Sequence, residues 1–200
     1  MEAQVIAALA PCYDEPHRHY HDRRHVEEML AALRFLAGGE PHPALALAAW
    51  AHDAVYDPRA AAGDNERASA ALARRVCDDV GVAPDLTQEV VDLTLATITH
   101  TAPDEPGTPE SKERMEAFLD ADLWILASPP DRFDEYERDV RAEYAFVPDE
   151  AFTRGRHAIL AEFAAREHLY VTDRARQVWE PSARSNLARI GHHAASPQRD

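Results

Sequence analysis

Lysine is nearly missing from this 200-residue chain: Lys112 is the single lysine among 21 basic residues, against 36 acidic ones, for a formal net charge of −15. Such a balance opposes attraction to nucleic-acid polymers and to anionic membrane surfaces. A small anionic ligand remains compatible, because arginine grips phosphate bidentately inside a local pocket whatever the global charge. Cysteine is almost as scarce. Cys12 and Cys77 stand far apart with no C-x-x-C spacing, which argues against a disulfide framework or a zinc ribbon and fits a reducing cytoplasm. The seven glycines are scattered, so no phosphate loop of the G-x-x-x-x-G-K type is present. No apolar run approaches the roughly 20 residues that span a bilayer, and the first residues lack a basic stretch followed by an apolar one. A cytoplasmic protein is expected. Sustained apolar/polar alternation and internal repeats are missing too, which argues against strands and solenoids.

What the chain has is helical periodicity. Val26, Met29, Leu30, Leu33, Leu36 and Ala37 mark one face of a helix that Gly38-Gly39 ends. A second helix is expected over 43–55, apolar almost all round until His52 and blocked by Pro58, which makes it the central one. Asp64 is a plausible N-cap and Gly81 a plausible stop for a third. Further helices are expected near 84–99, 111–127, 131–144, 149–166 and 173–190. The Pro/Gly-rich segment T-A-P-D-E-P-G-T-P is expected to be a loop able to cover a site. The expected architecture is all-α, one domain over 1–190, with a disordered tail over 191–200.

Eleven histidines are many, and His17, His19, His21 and His25 crowd into P-H-R-H-Y-H-D-R-R-H. His52 and Asp53 interrupt the apolar run in W-A-H-D-A-V-Y-D-P. Ionisable neighbours beside a buried segment need a partner or a metal. Adjacent helical residues point about 100° apart, so one ion could engage both only from a cleft completed by other helices. The available donors are His21 and His25, sharing a helical face if that helix begins by Asp22, and Asp120 or Asp122 in F-L-D-A-D-L-W-I-L.

The ordered set His25, His52-Asp53 and Asp122 resembles the HD-domain superfamily, helical bundles with an H…HD…D metal-binding pattern. Y-H-D-R-R-H-V, W-A-H-D-A-V-Y-D-P, D-N-E-R-A-S-A, T-I-T-H, L-D-A-D-L-W-I-L, V-R-A-E-Y, G-R-H-A-I-L and A-R-S-N-L together look like a bacterial subgroup of predicted metal-dependent HD phosphohydrolases, from about Tyr20 to Leu187. The resemblance implies His25, His52, Asp53 and Asp122 as ligands. Asp122 is preferred to Asp120 because A-D-L-W approximates the A-D-x-L context of the superfamily's last aspartate. It implies one divalent ion, and the mixed ligands suit manganese, iron, cobalt, nickel, zinc or magnesium. Two-metal members carry two more histidines before the last aspartate. Here His100 stands alone, which argues against a dinuclear or di-iron oxygenase site.

The implied reaction is hydrolysis of a small phosphate ester, possibly a nucleotide, by metal-activated water. The same resemblance admits a metal- and nucleotide-binding module without turnover. Glu66, at the start of the helix opened by D-N-E-R, is the candidate proton-transfer group, with His21 and His100 as further candidates at the cleft. Asp57, before Pro58, is a weaker one. Arg24, Arg141, Arg156 and Arg184 are available for phosphate, but each could instead be a structural salt bridge with the abundant acids, the favoured reading for Arg141 and Arg184.

Overall fold

A computed structural model describes residues 1–101 and 107–194, with side chains to 190. Among them it is all-helical, with no strand. By contacts the chain divides into two compact units, Met1–Asp122 and Leu123–Asp200. Every residue named above as a ligand or proton-transfer candidate lies in the first. The segment expected to cover a site falls largely on 102–106, outside the described residues, as do 195–200 of the expected tail.

The first unit contains α1 (Glu2–Leu9), a 3-10 turn (Ala10–Asp14), α2 (Arg23–Ala37), α3 (Pro43–Ala51), α4 (Asp64–Val80), α5 (Pro84–Ala96) and α6 (Pro109–Asp122). Local signals set their ends. Asp22 caps α2 by accepting from the backbone N–H groups of Arg24 and His25, and Gly38 stops it at φ 69° in the left-handed region. Gly63 and Gly81 bracket α4, both at positive φ. Proline occupies the first position of α3, α5 and α6, where its missing N–H costs nothing.

Helix α3 is the centre. Ala44, Leu45, Leu47, Ala48, Ala49, Trp50 and Ala51 are all buried, so every side of the helix needs a neighbour, and α1, α2, α4, α5 and α6 each pack against it. It ends at Ala51, short of the expected 55. The backbone groups beyond it have found side-chain partners: the Asp53 and Ala54 carbonyls accept from Arg18, and both polar groups of Val55 pair with Ser69 Oγ. Asp53 therefore lies in a turn rather than on the helix.

The second unit comprises a 3-10 segment (Leu123–Ala127), α7 (Pro130–Glu143), α8 (Asp149–Ala165) and α9 (Asp173–Ala194). The helix expected over 111–127 is thus α-helical only to Asp122. Ala175, Trp179, Ala183 and Leu187 recur every four residues on the buried face of α9, and the buried Asn186 amide donates to the Leu126 and Ser128 carbonyls. Helix α9 continues through 191–194, four residues into the tail expected to be disordered. None of the described helices is long and apolar enough to cross a membrane.

The placement of α3 predicts a large penalty for hollowing it. Leu47→Ala should lower unfolding free energy by about 2–5 kcal/mol, because the fully buried side chain leaves a cavity that five neighbouring helices cannot all close. Urea unfolding checks this; a loss below ~1 kcal/mol would contradict the central role of the helix.

Candidate metal centre

Three helices deliver His25, His52 and Asp122 to one point, and Asp53 lies beside the two histidines. His25 sits in the first turn of α2, held there by the Asp22 cap. His52 is the C-cap of α3 and Asp53 the next residue, while Asp122 ends α6. Because Asp53 has left the helix, the 100° divergence expected between helical neighbours does not apply, and its carboxylate turns back to His52.

The donor atoms are close together. His25 Nε2 lies 3.0 Å from His52 Nε2, 3.3 Å from Asp122 Oδ1 and 3.6 Å from Asp53 Oδ2. His52 Nε2 lies 3.0 Å from Asp53 Oδ2 and 3.5 Å from Asp122 Oδ1. Ligands held ~2.1 Å from one ion stand ~3.0 Å apart at octahedral right angles and ~3.4 Å apart in a tetrahedron. The observed separations fall around those values, and His25, His52 and Asp122 meet the spacing of a metal-holding group.

The chemistry of the donors fits a cation as well. His52 Nδ1 is 3.0 Å from the Ala49 carbonyl, which only accepts, so Nδ1 carries a proton. In the neutral ring, Nε2 is then a lone pair aimed at two carboxylate oxygens and a second imidazole nitrogen. Burial with only 1% exposure keeps water from relieving that repulsion. A positive charge at the centre relieves it, whether a proton or a metal ion. Burial opposes charge on His52, but the carboxylates of Asp53 and Asp122 outweigh it and push its pKa well above the usual imidazole value. Burial likewise opposes ionisation of Asp53 and Asp122. The cationic His52 beside each, with His100 and His25 also acting on Asp122, holds both well below the ordinary carboxylate range.

His100 is not among the converging donors; it holds one of them. Its Nε2 is 2.9 Å from Asp122 Oδ2, the oxygen other than the one facing His25 and His52. A carboxylate accepts only, so Nε2–H donates, and the bond turns Oδ1 inward. His100 is also the one non-glycine residue with positive φ, 48°, among the described residues. That conformation is unfavourable for a side-chain-bearing residue and persists here with the Asp122 bond. Asp120, two residues earlier and about 200° round the helix, is buried on another side.

His21 does not share a helical face with His25, because α2 begins at Arg23. It precedes the cap and stacks on Tyr56, ring centroids 4.1 Å apart, with the His25 ring at 6.0 Å. Glu66 lies in the first turn of α4, and its Oε2 is buried without a hydrogen-bond partner. That turn is fastened to the loop after Asp53: Asn65 accepts from the Asp57 N–H and donates to its carbonyl, and Ser69 pairs with Val55. Asp57 caps the local turn by accepting from the Arg59 N–H.

The arginines considered for phosphate are engaged elsewhere. Arg24 pairs with Glu28, Arg141 with Asp149, Arg156 with Glu137 and Arg184 with Glu180. Sequence reasoning missed Arg18, whose guanidinium is buried against the backbone beside Asp53. Its signal in the sequence is an arginine enclosed by histidines in P-H-R-H-Y-H. No family model, curated protein or solved structure matches the chain.

The opposed shifts predict how metal and protons compete. The lowered carboxylates contribute stability above about pH 3.9 that is lost as pH falls through their folded values; the raised His52 contributes stability below about pH 6.5 that is lost as pH rises through its folded value. Metal-free protein should therefore lose stability as pH rises above neutrality. Saturating divalent metal should reverse that trend, since it binds the deprotonated Nε2. Urea midpoints with and without metal, from about pH 5 to 9, test both signs. Parallel curves would show that no metal replaces the proton on His52.

Proposed function

We propose that this protein is a metal-dependent phosphohydrolase of the HD-domain type, acting in the cytoplasm on a small phosphate ester, possibly a nucleotide, with one divalent ion. The observation that supports the reading is the convergence of His25, His52 and Asp122 into a group able to hold a metal ion, with Asp53 Oδ2 3.0 Å from His52 Nε2 and 3.6 Å from His25 Nε2. These four would hold the ion. When bound, it would supply Lewis acidity, lowering the pKa of water from about 15.7 toward 7 and neutralising charge on a phosphoryl oxygen.

The protein's own contributions follow from position. His100 would keep Asp122 Oδ1 directed at the centre through its bond to Oδ2, with its own ring still 27% exposed. Glu66 offers a buried carboxylate oxygen with no competing hydrogen bond, suited to receive the proton that water gives up. His21, stacked on Tyr56 with the His25 ring 6.0 Å away, would protonate the leaving oxygen. The net charge of −15 supports a small substrate over a nucleic-acid polymer.

The test is phosphate release from a panel of nucleotides and phosphate esters, using metal-stripped protein reloaded with single metals. About one equivalent of metal should be retained through gel filtration, and His52→Ala should lose metal and activity together. Glu66→Ala should keep its metal and lose about 10²- to 10⁴-fold in rate, the range for a missing proton-transfer group. Metal binding with no turnover on any substrate would leave a binding module. Two tightly held irons with oxygen-dependent turnover would replace the hydrolase reading with an oxygenase.

A further inference from the structure

We propose that Arg18 is a positioning residue for the metal centre, a single buried guanidinium that locks the His25-bearing segment to the His52-Asp53 turn. The inference rests on the reading of the quartet as a metal site. Arg18 has a side chain with no exposure at all. Its Nη1 donates to the His21 carbonyl at 2.9 Å and to the Asp53 carbonyl at 2.7 Å. Nη2 donates to the Ala54 carbonyl at 3.2 Å, and Nε to Glu15 Oε2 at 2.9 Å. The Tyr13 and Tyr56 rings flank it at 5.1 and 5.5 Å.

These bonds join two ligand-bearing segments that are otherwise far apart in the chain. On one side, His21 is followed directly by Asp22, the cap whose Oδ1 accepts from the His25 N–H. On the other, the carbonyl that Arg18 holds belongs to Asp53 itself. His25 Nε2 to Asp53 Oδ2 is 3.6 Å, a spacing that depends on how the two segments are joined. Groups standing behind metal ligands typically alter metal affinity 10- to 100-fold when replaced. Lysine cannot substitute: three hydrogens on one nitrogen do not span carbonyls on two segments and a carboxylate, as a planar fork does. Nor is the arginine a substrate contact, since four of its five N–H groups are committed inward.

The experiment compares wild type, Arg18→Lys, Arg18→Ala and Val90→Ala as full chains. Val90 is buried in α5, a helix that carries none of the ligands, so its truncation lowers stability without removing a group that bonds to Arg18 or to a ligand. Metal dissociation constants are measured by chelator competition with zinc and cobalt, cobalt absorption reports coordination geometry, and urea midpoints report stability. Arg18→Lys should bind metal about 10- to 100-fold more weakly with an altered cobalt spectrum. Val90→Ala should keep wild-type affinity and spectrum at a comparable loss of stability. Added methylguanidinium should restore affinity to Arg18→Ala; where that variant does not fold, the lysine variant decides. Wild-type affinity and spectrum in Arg18→Lys would overturn the inference, as would a loss of affinity in Val90→Ala of the same size. Wild-type protein that binds no metal would overturn the metal reading itself and this inference with it.

Discussion

The bond from His52 Nδ1–H to the Ala49 carbonyl is the contact on which the site depends. It fixes the ring's orientation and its tautomer together, and so leaves a lone pair pointing at two carboxylates in a place water scarcely reaches. With both carboxylates ionised, the cluster favours a positive charge at its centre, supplied by a proton on His52 or by a metal ion. The cost of such an arrangement in an apolar core is large.

The fold delivers this contact through the composition of α3. A helix with apolar residues on all sides must be enclosed, so its end is carried to the middle of the first unit, where α2 and α6 bring His25 and Asp122. Early termination of α3 matters as much. If the helix ran on to residue 55, Asp53 would diverge from His52. Arg18 and Ser69 instead absorb the backbone groups of the turn, and the carboxylate folds back.

Much of this was legible in the sequence, for identifiable reasons. Helix faces, proline starts and glycine stops are local signals, and the all-α class and most element bounds followed from them. The order of His25, His52-Asp53 and Asp122 pointed to the residues that the fold brings together. What escaped prediction was long-range. The end of α3 depends on Arg18, 35 residues upstream of Asp53, and on Ser69, 14 residues downstream of Val55. His21 misses the helical face because Asp22 caps one residue too late to include it. The bond that makes His100 a partner of Asp122 crosses 22 residues. Helix periodicity carries no information about such pairings.

Charge distribution bears on what the proposed metal centre would recognise. Each arginine that the sequence offered for phosphate is paired with a carboxylate, and Arg18 faces the backbone. In a chain of net charge −15, arginine is thus spent on holding acidic side chains and carbonyls in place. Attraction for an anionic substrate would then arise at the centre itself, from a divalent ion whose charge Asp53 and Asp122 only balance, with His100 and His21 beside it. Binding and activation of the phosphoryl group would share one source of charge, so losing the ion would abolish both at once.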